Sequence, residues 1–255
     1  MSALLVLLFF VTAALYASVG FGGGSTYNAL LALSGTDYRV LPLIALACNV
    51  VVVSGGVWRF ARIGETPLRP LAPFLATSIP AAWIGGRLPI PETAFVFLLG
   101  AALLVAGVQL LLQSERSVAI STRARTPLAV SLGAGAGIGF LAGLVGIGGG
   151  IFLAPVLYFL NFGSPRVIAA ACSLFILLNS LSGAFGQLAK LSDIGLLSLA
   201  TPYWPLIPTV LVGGQIGSWL STSGLRPIWV KRLTAALILY VAVRLLVRFA
   251  AMVLV

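Results

Sequence analysis

From residue 2 to residue 253 the chain is a series of apolar stretches of about membrane-span length, with most of its charges in the gaps or at the stretch ends. Within lipid every backbone N–H and C=O must be paired inside the protein, so apolar runs of this length are read as helices. The stretches cover residues 2–33, 40–58, 70–86, 93–112, 128–160, 167–188, 199–220 and 229–253. Composition agrees, with 60% hydrophobic and 8% charged residues among 255, where soluble chains carry about a quarter charged. The predicted class is an all-α, polytopic membrane protein.

The first and fifth stretches are too long for one span, and the same glycine phrase breaks each. Gly20-Phe21-Gly22-Gly23-Gly24 interrupts the first and Gly146-Ile147-Gly148-Gly149-Gly150 the fifth. Glycine clusters end helices, and broken backbone inside a bilayer survives only where protein or a water-filled cavity satisfies it. Breaks in matching places of two halves are the sequence mark of a midplane binding site in a duplicated transporter. The division is a first repeat over 1–115, a cytoplasmic linker over 116–127 and a second repeat over 128–255. Val19-Gly20 matches Val145-Gly146, and Ala47-Cys48-Asn49 matches Ala171-Cys172-Ser173. Gly85-Gly86 falls where Gly213-Gly214 or Gly217 lies in the second half.

Charge counting orients the halves. If all eight stretches cross, eight basic residues face six and no side is favoured. If each broken stretch enters and returns, one side gathers Arg59, Arg62, Arg69, Arg116, Arg123, Arg125, Arg166, Arg226, Lys231 and Arg232. The other keeps Arg39, Arg87, Lys190 and Arg248. That bias favours two re-entrant hairpins and three full crossings per half, hence inverted repeats with both termini outside.

The remaining features exclude other classes. The +10 net charge is scattered over short loops, where it fixes topology and meets anionic headgroups, so no nucleic-acid partner is expected. Residues 1–19 lack a basic n-region and a cleavage pattern and read as a retained membrane segment. Cys48 and Cys172 lie in apolar runs and read as packing residues. There is no histidine, P-loop or nucleophile elbow, and the five acids lie in loops or at stretch ends. The chain is expected to be no enzyme and to need no cofactor or metal.

The glycine turns can aim successive N–H groups into a nest, and a half-helix starting there adds its positive end. The expected substrate-binding residues are therefore Gly22, Gly23, Gly24 and Ser25, with Gly148, Gly149 and Gly150 in the second half. Ser25 is placed to cap its helix. Asn49, Ser173 and Asn179 are polar residues inside apolar runs, fit either for the site or for interhelical hydrogen bonds. Gly133, Gly135, Gly137, Gly139 and Gly143 read as a packing face, and Arg244 as a residue snorkelling to the interface.

Gly-Ile-Gly-Gly-Gly-Ile-Phe-Leu-Ala-Pro at 146–155, then Ala171-Cys172-Ser173-Leu174 and Asn179-Ser180-Leu181-Ser182-Gly183, resemble the hallmark of the sulfite/organosulfonate exporter family, TauE/SafE. The first half carries a weaker copy, with Tyr27-Asn28-Ala29 where the second has Leu153-Ala154-Pro155. The resemblance implies a multi-pass inner-membrane secondary transporter for small sulfur-containing anions such as sulfite or sulfonates. Its partners would be a small anionic substrate and the lipid bilayer, with room for a homo-oligomer. The alternatives are an anion channel using the same nests and a non-transporting assembly partner.

Overall fold

The structure is a computed structural model that describes residues 2–18, 22–64, 66–112, 127–220 and 227–254. The match at Val19-Gly20, the linker residues 116–126, and Glu65 and Arg226 lie outside the described residues. The described elements are helical: α1 (Ala3–Ser18), α2 (Gly24–Leu33), α3 (Leu41–Arg62), α4 (Leu68–Arg87) and α5 (Glu92–Leu112), followed by α6 (Leu128–Val145), α7 (Gly150–Phe159), α8 (Pro165–Asp193), α9 (Leu206–Leu220) and α10 (Pro227–Leu254). Five of them are long and apolar enough to cross a membrane: α3, α5, α6, α8 and the Ala235–Leu254 part of α10. The chain is thus a polytopic helical membrane protein.

Each long broken stretch becomes a helix pair, α1 with α2 and α6 with α7, parted at its glycines. The seventh stretch departs from the expectation of one helix. Pro202 and Pro205 lack amide protons, so its start is a 3-10 turn over Leu197–Tyr203 and α9 begins only at Leu206.

Contacts fix the helix directions. On α6, a Cβ added to Gly135, Gly139 or Gly143 would meet the backbone of Phe74, Ser78 or Ala82 of α4 in turn, so the two run parallel. On α9, Gly213 and Gly217 lie against the carbonyls of Phe10 and Ala14, which makes α1 and α9 parallel as well. The α4 and α8 helices are parallel too: Ser182 donates to the Ile79 carbonyl at 2.6 Å, and Gly186 faces the Trp83 carbonyl. Helices in matching positions of the two halves run oppositely. Along α5 and α10, Gly100 meets Leu246, Gly107 meets Leu239, and Phe97 lies 5.0 Å from Phe249 between ring centroids. Along α3 and α8, Asn49 and Ser180 share one level at Gly148, whereas Gly56 pairs with Ser173.

The core is shared between the halves. α4 packs on α6 and α8 of the second half, and α9 packs on α1 and α3 of the first. Exchanging the halves leaves this set of pairings unchanged. It also identifies one counterpart, because Gly85 meets the Phe140 carbonyl as Gly217 meets the Ala14 carbonyl. Residues 14 and 140 are 126 apart (140 − 14), as are Gly20 and Gly146 (146 − 20). By this spacing the contact of Gly217 is the counterpart of that of Gly85.

Following these directions, residues 34–40, 88–91 and 194–205, the start of α1 and the end of α10 gather at one end of the bundle, and residues 63–64, 66–67 and 160–164 at the other. Two ion pairs tie the first end together, Arg87 to Asp193 at 3.1 Å and Arg248 to Glu92 at 2.6 Å. Exposed Trp83 and Trp204 lie near that end and exposed Trp58 near the opposite one, the arrangement of two interfacial aromatic belts.

Candidate functional site

The second break is a turn only glycine makes without strain. Gly146, Gly148 and Gly149 hold φ of 82°, 82° and 80°, a region that costs other residues about 1–2 kcal/mol each. Gly149 lies against Ile138 and Ala142, one to two turns before the end of α6, so the chain doubles back on leaving that helix. Beyond α7, Phe162 meets Phe74 edge-on at 6.5 Å, and the Phe74 backbone abuts Gly135 early in α6. The α7 helix thus runs back toward the end where α6 begins.

In the described part of the first break the reason for glycine is different. Gly23 sits at φ −91°, and neither Gly22 nor Gly24 has positive φ. What these positions lack is room. A Cβ on Gly24 would lie 2.5 Å from the Ile147 carbonyl oxygen and overlap the Asn49 amide, and one on Gly22 would lie 2.7 Å from Asn49 Oδ1. On Gly148 it would meet Asn49 Nδ2 at 2.8 Å and Ser180 Oγ at 3.0 Å. The two breaks therefore touch each other, with fully buried Asn49 between them and Ser180 beside it.

Gly22, Gly24, Asn49 and Gly148 thus come together, and the other expected site residues surround or miss that point. Gly23 packs on Tyr27 and Thr12, Gly149 on Ile138 and Phe175, and Gly150 on Ile176. Ser25 does not cap α2: Gly23 is the N-cap, and Ser25 lies buried in the first turn. Ser173 donates to the Ala169 carbonyl at 2.9 Å and faces Gly56, away from the breaks. Asn179 turns its amide back to the Phe175 carbonyl at 2.8 Å.

The electrostatics of the junction are asymmetric. Helix α6 ends in carbonyls that lack helical partners. Gln187 donates to the Gly143 carbonyl at 2.9 Å and Asn28 to the Gly146 carbonyl at 2.9 Å. Asn49 donates to the Ile147 carbonyl at 3.3 Å. Three buried amides thus neutralise the negative end. The positive ends have no such cover: the N-caps of α2 and α7 are Gly23 and Gly149, and among the described residues no side chain caps either first turn. Ser180 Oγ, and one amide oxygen each of Asn28, Asn49 and Gln187, are buried without a hydrogen-bond partner. Asn28 escapes the sequence reading because its segment departs from the second copy there. The polar residues inside stretches one and six, Asn28, Ser180 and Gln187, were the signal for this set.

The family model for the sulfite exporter TauE/SafE matches residues 5–245. The chain is 34% identical over 244 residues to the probable membrane transporter protein y4hK of Sinorhizobium fredii, covering 95% of this chain and 97% of that one. It is 33% identical over 81 residues to the probable membrane transporter protein YunE of Bacillus subtilis, covering 32% of this chain and 28% of that one. No solved structure matches it.

Proposed function

This chain belongs to the sulfite exporter TauE/SafE family of membrane transporters, and from that premise we propose that it exports a small sulfur-containing oxyanion, such as sulfite or a sulfonate. Export would be across the inner membrane, by alternating access, with the anion bound where the glycine breaks meet. The observation that carries this reading is the one-sided satisfaction of that junction. Its carbonyl end is occupied by Gln187, Asn28 and Asn49, and no side chain caps the half-helix starts at Gly24 and Gly150, which leaves their positive dipole ends for a guest. The unpartnered Ser180 hydroxyl adds a donor at Gly148. Gly22–Ser25 and Gly148–Gly150 would supply the nests, while Ser173 and Asn179 would line the path along α8.

The inverted-repeat topology belongs to the same proposal. Antiparallel matched helices, α3 with α8 and α5 with α10, are what a two-fold axis in the membrane plane produces. With both glycine turns re-entrant and the end where α3 finishes taken as cytoplasmic, the basic residues divide ten to four in favour of the cytoplasm. Residues 116–127 would then link the repeats in the cytoplasm. With the inside negative, moving one negative charge outward gains about 2.3 kcal/mol per 100 mV.

A channel would use the same groups but stand open. Here Gly24 closes on the Ile147 carbonyl, which supports a carrier that opens on one side at a time. Purified protein in liposomes tests this with a panel of sulfite, sulfate, thiosulfate, sulfoacetate and acetate. Saturable sulfite or sulfonate flux with counterflow is the expected result, abolished in Gly24→Ala and Gly148→Ala variants that still elute as folded protein. Unsaturable flux would indicate a channel, no flux a partner protein, and unchanged flux in both variants would remove the site.

A further inference from the structure

Apart from the central junction, the described residues contain a charged cleft at the end of the bundle where α1 begins and α10 ends. It lies between the end of α2 and the last turns of α10, encloses about 380 Å³, and is lined by Leu33, Val241, Leu245, Arg244 and Arg248 among others. Pockets of about this size hold small ligands. Both arginines are exposed, and they stand one helical turn apart. Arg248 is tied to Glu92 at 2.6 Å. Arg244 has no ion pair or hydrogen bond among the described residues.

Arg244 belongs to the lipid-facing side of α10. Tyr240, Val243 and Val247, its neighbours on that surface, are 59%, 55% and 64% exposed. It lies ten residues before Leu254, about 15 Å below the helix end at 1.5 Å per residue. The Arg248–Glu92 pair, at the first residue of α5, marks the polar boundary one turn above it. A guanidinium at that depth on an apolar face is costly unless it meets an anion or snorkels to one. A cleft open to lipid at the headgroup level, walled by leucine and valine and floored by two cations, fits a phosphate that carries acyl chains.

We propose that this cleft binds the phosphate of an anionic phospholipid, with Arg244 as its main ligand and Arg248 shared between that phosphate and Glu92. Arginine suits the task because its planar fork offers paired donors to a phosphate. The chemistry is that of an oxyanion, which a freely diffusing anion shares. The apolar walls assign it to the lipid.

Native mass spectrometry of the detergent-purified full chain tests the assignment. Phosphatidylglycerol is titrated against phosphatidylcholine, with inorganic phosphate and sulfite as free competitors. The expected result is one retained phosphatidylglycerol per chain, preferred over phosphatidylcholine and not displaced by millimolar phosphate or sulfite. Arg244→Gln weakens its retention about tenfold or more, the scale of one lost charge-assisted pair. Arg244→Lys weakens it less, and Arg87→Gln, whose partner is Asp193, leaves it unchanged. Equal retention in wild type and Arg244→Gln overturns the site. Displacement by free phosphate or sulfite overturns the lipid assignment and makes the cleft an anion vestibule.

Discussion

Asn49 is the residue through which the two glycine breaks touch. It donates to the Ile147 carbonyl at 3.3 Å, and Gly22, Gly24 and Gly148 crowd its amide. Asn49→Ala leaves a buried carbonyl without a donor, at a cost of about 1–3 kcal/mol. The expected outcome is a lower thermal midpoint of the purified protein, with flux lost in liposomes. Asn49→Gln does not restore flux, because Gly24 leaves no space for another methylene. Gly149 is constrained by conformation as well as by space, since its φ of 80° disfavours any side chain and Ile138 and Phe175 fill the room beside it. At the bundle surface Asp37 accepts from the Arg39 guanidinium at 2.6 Å, and that hydrogen bond holds its carboxyl below the usual carboxylate range. The folded state thus favours the ionised carboxyl. Its stabilisation is complete above the carboxyl's unfolded value and disappears as pH falls through the lower folded one. The pair is partly exposed, so the effect is small. Between about pH 5 and pH 3 the thermal midpoint should therefore fall slightly less in Asp37→Asn than in wild type, a difference that differential scanning fluorimetry can read.

Helix α6 shows how one element divides its glycines between packing and permissiveness. Gly135, Gly139 and Gly143 face the α4 backbone at Phe74, Ser78 and Ala82, spaced four apart. This is the small-xxx-small stripe that lets two helices approach closely. Gly133 and Gly137 meet nothing within 4 Å, so the expected five-glycine face is a three-glycine face. The division gives a paired prediction. Gly137→Ala should be neutral or stabilise by about 0.5–1 kcal/mol through backbone entropy. Gly139→Ala, whose Cβ would overlap Ser78, should destabilise by about 1–3 kcal/mol through overpacking. Thermal unfolding of the two variants in one detergent should move the midpoint in opposite directions or move only the second. An equal drop in both would mean that helix propensity, not the α4 contact, decides.

At the scale of the whole molecule, the halves are interleaved. Each lends a helix to the other, α4 to the second half and α9 to the first, so neither half encloses its own core. Were the halves related by a two-fold axis in the membrane plane, as proposed above, rocking one against the other would open the junction at Asn49 alternately. The topology has a direct test, because Cys48 and Cys172 are both buried and contribute little background. Single cysteines at Ser34 and Ser198 should label from outside the cell with an impermeant maleimide, and one at Ile63 only after permeabilisation. Labelling of Ile63→Cys and Ser198→Cys from the same side would rule out the re-entrant topology, and labelling of Ile63→Cys alone from outside would reverse the orientation.

Composition and the spacing of apolar runs were enough to give the class and the positions of the helix boundaries near the glycines, because hydrophobic length and glycine's helix-breaking act locally along the chain. The contacts across the molecule were not readable in the same way. Glycines 133 and 137 look like 135, 139 and 143 in sequence, and only the α4 backbone separates them. The same holds for Asn28 and Gln187, whose roles come from carbonyls 118 and 44 residues away. Ser173 and Ser180 differ only in which of them the α3 crossing sets against Gly148. Distance along the chain says nothing about such partners. They exist because helices of both halves pack into one core, and only the tertiary structure decides which buried polar group meets which.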